Sequence, residues 1–115
     1  MICFGKGYDS KVYATGFNGG TWANSSWGGY NNMGGTVLGN VSCTSQAADE
    51  LLCGVYGADN NFYAGTWKST SWPGWSEVAT ANVALGSPAC APLGTGHVSC
   101  AIRDASNKFV SYIGP

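Results

Sequence analysis

Residues 51–64 read LLCGVYGADNNFYA, and they point to one kind of local structure. An apolar run around Cys53 is followed by the turn residues Ala58, Asp59 and Asn60, and then by a second run that contains two aromatic residues. Short apolar runs on either side of such a turn are typical of two antiparallel strands. This stretch therefore predicts a β-hairpin.

The hairpin pattern occurs three times in the chain. Cys3, Cys53 and Cys100 each lie in a short apolar run, and successive cysteines are 50 and 47 residues apart. The turn and second strand of each hairpin are residues 8–14, 58–64 and 105–111. This spacing is close to the roughly 40 to 50 residues of a propeller blade, so it predicts repeated units of four strands.

Further repeated segments supply the other two strands of each unit. Residues 26–30 (SWGGY) match 71–75 (SWPGW), and 38–43 (LGNVSC) match 85–90 (LGSPAC). The chain therefore opens at the second strand of one unit and stops after the third strand of another, which predicts ten strands. The first strand of a unit is predicted near 41–44 and 89–91, and the second strand around Cys3, Cys53 and Cys100. The third strand is predicted at 12–16, 62–67 and 109–113, and the fourth near 30–33 and 75–79.

We predict an all-β fold, a β-propeller of four-stranded antiparallel blades with about two and a half blades in the chain. The single domain 1–115 divides into part of a first blade (1–39), a second blade (40–86) and part of a third blade (87–115). Incomplete blades leave apolar faces and strand edges uncovered, so we expect the ring to close by homo-oligomerisation. The alternative is a truncated piece of a longer polypeptide, and the number of copies in a ring is left open.

Composition and charge argue against several classes of partner. Charged residues make up 10% of the chain, against roughly 25% in an average soluble protein, and the net charge is −1. The five basic residues form no cluster, so nucleic acid is not expected as a partner. No apolar run approaches the roughly 18 residues that span a bilayer, so membrane insertion is not expected. Met1 leads straight into a strand-like run, which indicates that a signal peptide has been removed or that the chain is a fragment.

The five cysteines fall into two matched pairs and one remainder. Cys43 precedes Cys53 by ten residues and Cys90 precedes Cys100 by ten, so each pair lies on adjacent strands of a predicted hairpin. Cross-strand neighbours can be bridged, which predicts disulfides Cys43–Cys53 and Cys90–Cys100 and a secreted or extracellular protein. Cys3 is expected to be free or joined between chains. The alternative is that all five are reduced apolar side chains.

Residues suited to catalysis are sparse. The one histidine, His97, lies in a predicted loop, and the neighbouring Asp49 and Glu50 point apart along a strand or turn. Cys3 has no histidine in its own repeat to act as a base. Cysteines ten residues apart lack the spacing of a zinc site, and the glycine-rich stretches are typical of turns rather than of phosphate loops. We therefore expect no enzyme, no metal site and no cofactor.

The repeated Ser-Trp-x-Gly-(Trp/Tyr) motif is the strongest functional signal. Its aromatic rings either wedge between neighbouring blades or form platforms on which the apolar C–H face of a sugar stacks, with short polar side chains binding the hydroxyl groups. Trp22 is the strongest stacking candidate, because it lies in a loop extension that the second repeat lacks. The predicted sugar-binding residues are Trp22, Asn24, Trp27, Trp67, Trp72, Trp75 and Arg103.

Residues 25–35 resemble the blade signature of the PLL-type propeller lectins, which include the bangle lectins and their tectonin-like relatives. In the second repeat, residues 57–63 and 71–75 follow the same order of turn, aromatic strand and Ser-Trp-x-Gly-Trp segment. The resemblance implies a β-propeller with sugar sites between adjacent blades, commonly for fucose-type or galactose-type ligands. Members normally carry a full ring in one chain, and this chain departs from that pattern.

These features together predict a lectin that binds glycans at several weak sites, since repeated shallow sites gain avidity. Its expected partners are glycans and other copies of the same chain. The alternative from another class is a structural or protein-interaction propeller whose aromatic residues serve only packing. A further alternative is a fragment made to study how propellers assemble.

Overall fold

The computed structural model describes residues 2–18, 26–27, 31–47, 50–68, 71–79, 86–94 and 96–114. These residues form β-strands joined by turns, and none of them belongs to a helix that could cross a membrane. The strands are β1 (Ile2–Lys6), β2 (Val12–Asn18), β3 (Ser26–Trp27), β4 (Asn31–Gly34), β5 (Ser42–Ala47), β6 (Glu50–Tyr56), β7 (Phe62–Lys68), β8 (Ser76–Ala79), β9 (Ala89–Gly94), β10 (His97–Arg103) and β11 (Phe109–Gly114).

The strands form three antiparallel sheets that follow one another along the chain. The first sheet holds β1 to β4, the second holds β5 to β8 in sequence order, and the third holds β9 to β11 with β10 in the middle. The all-β class and the antiparallel units of three to four strands agree with the sequence prediction, and the arrangement is consistent with a propeller-like fold. The division into blade parts 1–39, 40–86 and 87–115 stays a prediction.

The number of strands differs from the ten that were predicted, because residues 26–27 form the additional strand β3. β3 pairs with the far end of β2, where Phe17 lies opposite Trp27, while β4 pairs with the near end of β2 at 12–14. β2 is seven residues long and extends past β4, so its remaining backbone groups bond to a second short partner. In the second sheet the same place is taken by a single bridge between Lys68 and Ser71.

The hairpin turns repeat in their backbone conformation. Ser10, Asn60 and Asn107 occupy the same turn position in the three sheets, with φ of 64°, 66° and 61°. This left-handed region is several-fold enriched in Asn, whose short polar side chain tolerates it. The turn residues that repeat in the sequence therefore also set the direction in which the chain enters the second strand of each hairpin, which is β2, β7 or β11.

Both predicted disulfides are present. Cys43 lies directly opposite Cys53 across β5 and β6, and Cys90 lies opposite Cys100 across β9 and β10, with Cα atoms 4.0 Å apart in each pair. Cys3 is free and exposed on β1, at the edge of the first sheet. The alternative that all five cysteines are reduced is therefore wrong.

The sheets pack face to face through two apolar clusters. The buried cluster between the first and second sheets contains Val12, Ala14, Met33, Val37 and Val55. The buried cluster between the second and third sheets contains Leu52, Tyr56, Phe62, Ala64, Val98, Cys100 and Ile102. The second sheet thus buries both of its faces, one against each neighbour.

The first strands of the second and third sheets lie side by side. The Ser42 hydroxyl oxygen accepts a hydrogen bond from the backbone N–H of Cys90 at 3.0 Å, and the backbone N–H of Asn40 donates to the Ser87 hydroxyl oxygen at 2.8 Å. These bonds join β5 and the chain before it to β9 and the chain before it. The two sheets are therefore held together by polar bonds at this edge as well as by their apolar faces.

Candidate functional site

A cavity of about 350 Å³ lies at the junction between the first and second sheets. Its wall combines residues 35–37, which link β4 to β5, with residues 57–59, which form the turn between β6 and β7. The strand residues Val55 and Tyr63 and the aromatic ring of Trp75 complete it. The volume falls within the roughly 300 to 1,000 Å³ of small-molecule sites, so a ligand the size of a monosaccharide fits.

Backbone hydrogen bonds hold the cavity wall in place. The Val37 N–H donates to Ser10 O at 2.8 Å, and the Ala58 N–H donates to Thr36 O at 2.9 Å. The linker is therefore bonded to the hairpin turn of the first sheet on one side and to the hairpin turn of the second sheet on the other. A wall fixed at both ends loses little conformational entropy when a ligand binds.

Asp59 and Tyr63 form the polar part of the wall. The Tyr63 hydroxyl donates a hydrogen bond to Asp59 Oδ2, and Asp59 Oδ1 accepts from the backbone N–H of Asn61 at 3.1 Å. A Cβ atom at Gly57 would lie 2.7 Å from Asp59 Oδ1 and 2.8 Å from Tyr63 Cε2. Only glycine therefore allows the carboxylate and the ring to meet over this turn.

The hydrogen bonds of this pair fix its protonation states. The Tyr63 hydroxyl, together with the backbone N–H of Asn61, holds the pKa of Asp59 below its ordinary value. The same bond to Asp59 raises the pKa of Tyr63. At neutral pH Asp59 is an ionised acceptor, and the neutral Tyr63 hydroxyl donates its hydrogen bond to Asp59 while its own oxygen lone pairs remain able to accept.

Trp75 forms the aromatic part of the wall. Its ring edge lies against the linker, with Nε1 3.3 Å from the place of a Cβ atom on Gly35, whose φ is +76°. The Trp75 Nε1–H is buried and has no acceptor among the residues that the structure describes. A buried donor without a partner costs free energy, so this N–H destabilises the junction slightly.

The arrangement suits a neutral ligand that carries hydroxyl groups and has an apolar face. Asp59 and Tyr63 offer oxygen acceptors, and the half-buried ring of Trp75 offers apolar surface, while Val37 and Val55 are buried behind the wall. The negative charge of Asp59 disfavours anionic ligands. Among the described residues, no group of three or more His, Cys, Asp and Glu side chains could hold a metal ion.

Of the predicted sugar-binding residues, Trp75 lines this cavity and Trp72 packs behind it. Trp72 contacts the ring of Phe4, with centroids 5.8 Å apart, and the ring of Trp75, with centroids 4.8 Å apart and planes at 79°. Its Nε1–H donates to Met33 O at 3.2 Å. A Cβ atom at Gly65 would lie 2.8 Å from Trp72 Cζ2, so the ring covers that glycine closely.

The other predicted residues lie away from the cavity or outside the described residues. Trp67 is half-buried against the cluster between the first and second sheets, and its neighbour Lys68 pairs with Glu50 at 2.7 Å. Arg103 is exposed at the end of β10. Trp22 and Asn24 lie outside the described residues, as does the side chain of Trp27.

Sequence reasoning treated Asp59 and Tyr63 as turn and strand residues only. A signal was present, because a Gly, an Asp two residues later and a Tyr four residues after that occur twice, at 7–13 and at 57–63. In the first sheet the Tyr13 hydroxyl donates to Asp9 Oδ2 at 2.7 Å, as in the second. The third repeat differs, since its counterparts of these three residues are Asp104, Ser106 and Val110.

A second cavity, of about 250 Å³, lies at the junction between the second and third sheets. Its wall includes Thr66 on β7, Glu77 on β8 and Tyr112 on β11. Among the described residues, its lining includes neither an Asp–Tyr pair on the hairpin turn nor a tryptophan ring. The two junctions therefore offer different chemistry.

Comparisons with known proteins bear on the fold. No protein-family model matches the chain, and no curated protein matches it. Among solved structures, the chain is similar to a fucose lectin from Kordia zhangzhouensis in complex with methyl-fucoside, with a TM-score of 0.67 and 10% identity over 98% of this chain and 82% of that chain. At this identity the similarity shows a shared lectin-like β fold, and membership of the PLL-type family stays a prediction.

Proposed function

We propose that the chain is a carbohydrate-binding lectin and that the junction cavity between the first and second sheets is one of its sugar sites. The observation that carries this proposal is the ionised Asp59, bonded to Tyr63, at the rim of a largely apolar cavity whose wall contains the ring of Trp75. Sugar hydroxyl groups donate to the carboxylate, and the C–H face of the sugar packs on the indole. The fold shared with a fucose lectin supports the same function.

Fucose-type ligands fit this wall best. Their methyl group adds apolar surface to the C–H face, and the half-buried ring of Trp75 can pack against it. Their hydroxyl groups remain for Asp59 and Tyr63. Galactose-type ligands carry a hydroxymethyl group in place of the methyl group, so we expect them to bind more weakly here.

Asp59→Asn tests the site. Removing the negative charge should weaken the binding of methyl-fucoside about tenfold or more, because hydrogen bonds to charged groups are the stronger kind. The measurement is a calorimetric titration of methyl-fucoside, with methyl-galactoside as the comparison. Asp104→Asn is the matched control, since Asp104 also accepts backbone bonds in a hairpin turn but lies away from the cavity.

Equal affinity in Asp59→Asn and in the wild type would remove the cavity from the function. If the wild type bound no sugar on a glycan array, the alternative of a structural or protein-interaction propeller would be favoured. A loss of affinity in the Asp104→Asn control would mean that the effect of Asp59→Asn comes from the turn and not from ligand contact.

We also infer that the three sheets belong to a β-propeller whose ring is closed by other copies of the chain. The face-to-face packing of successive sheets and the open edge of β1 support this inference. Sugar sites at several junctions would then act together, so weak single sites would give strong binding to clustered glycans. The two disulfides are consistent with an extracellular protein, where such glycans occur.

Trp22 remains a proposed stacking residue. Trp22→Ala is expected to weaken sugar binding by about 1 to 2 kcal/mol while leaving stability nearly unchanged, because a ring on a loop that only one repeat carries has no packing role imposed by the repeat. Thermal melts paired with sugar titrations measure both effects. Unchanged affinity in the variant would exclude Trp22 from the site.

A further inference from the structure

The outer face of the third sheet repeats the face through which the second sheet packs. On the second sheet, Phe62 belongs to the buried cluster shared with the third sheet. With a spacing of 47 residues, its counterpart on the third sheet is Phe109, which is 82% exposed. Ile113 lies on the same face of β11 as Phe109 and is 62% exposed. An apolar face used for packing in one repeat is therefore uncovered in the next.

The first sheet carries a complementary opening. In the second and third sheets, Val55 and Ile102 occupy the position that receives the preceding sheet, and both are buried in a junction cluster. Their counterpart on the first sheet is Gly5, which is exposed and has no atom within 4 Å of the place of its Cβ. The exposed ring of Phe109 thus has a position without a side chain, Gly5, as the place where it would pack.

The first sheet also carries half of a site. Asp9 and Tyr13 form the same bonded pair as Asp59 and Tyr63, and the backbone N–H of Lys11 donates to Asp9 Oδ1 at 3.1 Å. The pair of the second sheet lies in a cavity because the chain that follows the first sheet covers it. Among the described residues no sheet covers the pair of the first.

Tyr8 adds an aromatic surface beside this pair. Tyr8 is the counterpart of Ala58, which lines the cavity of the second sheet. The Tyr8 side chain is fully exposed. A sugar bound at Asp9 could therefore stack on a ring that the second-sheet cavity does not have at this position.

We propose that a second copy of this chain packs the outer face of its third sheet, at Phe109, on the first sheet at Gly5, and that this contact completes a carbohydrate site around Asp9, Tyr13 and Tyr8. The contact joins two different faces, so it propagates from copy to copy and closes into a ring where the rotation between copies allows it. This inference rests on the proposed function for its ligand, and on the repeat for its geometry.

The assembly is tested by Phe109→Asp at micromolar concentration. Native mass spectrometry and sedimentation should show an oligomer for the wild type and smaller species for the variant, because a carboxylate would be buried at the contact. Phe109 is exposed within the chain, so circular dichroism should show that the variant folds. Leu38→Asp is the matched control, since Leu38 is an exposed apolar residue in the linker, and it should assemble like the wild type. A monomeric wild type, or an unchanged oligomer in Phe109→Asp, would overturn the proposal.

The composite site is tested by titrating methyl-fucoside into Asp9→Asn and Phe109→Asp. Both variants should lose binding sites relative to the wild type and keep the site at Asp59. Binding that responds to Asp59→Asn but not to Asp9→Asn or Phe109→Asp would reject the composite site and leave the proposed function standing. A wild type that assembles but binds no sugar would reject the proposed function and, with it, the ligand of the composite site.

Discussion

Reduction of both disulfides is expected to lower the free energy of unfolding by about 5 kcal/mol. Each bridge closes a loop of 10 residues, and in the chain-entropy model a loop of that length contributes about 2.5 to 3 kcal/mol by restricting the unfolded chain. The two bridges have the same sequence separation, so removing either one alone should cost about half of the total. Denaturant titrations with and without reductant measure the sum.

Paired alanine variants separate the two bridges. Cys43→Ala with Cys53→Ala removes the bridge of the second sheet, and Cys90→Ala with Cys100→Ala removes that of the third. Cys3→Ser is the control, because Cys3 is free and exposed and its replacement should leave stability unchanged. Denaturation midpoints that did not respond to reductant would show that the bridges add nothing to stability.

Trp72→Ala is expected to lower the free energy of unfolding by about 3 kcal/mol. Replacing a core Trp by Ala typically costs 3 to 5 kcal/mol, and Trp72 is half-buried, which favours the lower end of that range. The variant loses the ring contacts with Phe4 and Trp75 and leaves Met33 O without its indole donor. Denaturant titrations measure the loss.

Trp72→Phe separates the two contributions. It keeps an aromatic ring over Gly65 but cannot donate to Met33 O, so it should cost clearly less than Trp72→Ala. A Trp72→Ala variant with wild-type stability and lost sugar binding would instead make Trp72 a binding residue. That outcome would reverse the assignment of Trp72 to packing.

The regular parts of the fold could be predicted because they recur. The cysteines at 43 and 53 and at 90 and 100 have the same spacing on predicted neighbouring strands, and this was enough to pair them correctly. The short strand β3 could not be predicted in the same way. Its pairing depends on how far β2 extends beyond β4, which is a property of the assembled sheet and leaves no mark on residues 26–27.

The candidate site could be predicted only in part. Trp72 and Trp75 stand in one motif, three residues apart, and the sequence does not tell which ring packs and which lines a cavity. The difference comes from contacts across the sheet junction, with Met33 for one ring and Gly35 for the other. Asp59 belongs to a Gly-Asp-Tyr pattern that two repeats share, but its place in the site depends on the linker of the preceding sheet, which is distant in sequence.

The altered turn of the third sheet has a consequence for how the protein would meet a cell surface. Asp104 and Val110 replace the glycine and the tyrosine that hold an aspartate in place in the other two turns, so one turn in three cannot present the same acceptors. Around a closed ring, the sugar sites with an Asp–Tyr pair would come in neighbouring pairs, and a sheet without such a site would separate one pair from the next. Such a ring would discriminate between cell surfaces by the distance between glycan chains as well as by their terminal sugar. It would bind most tightly to surfaces on which two glycan chains lie close together.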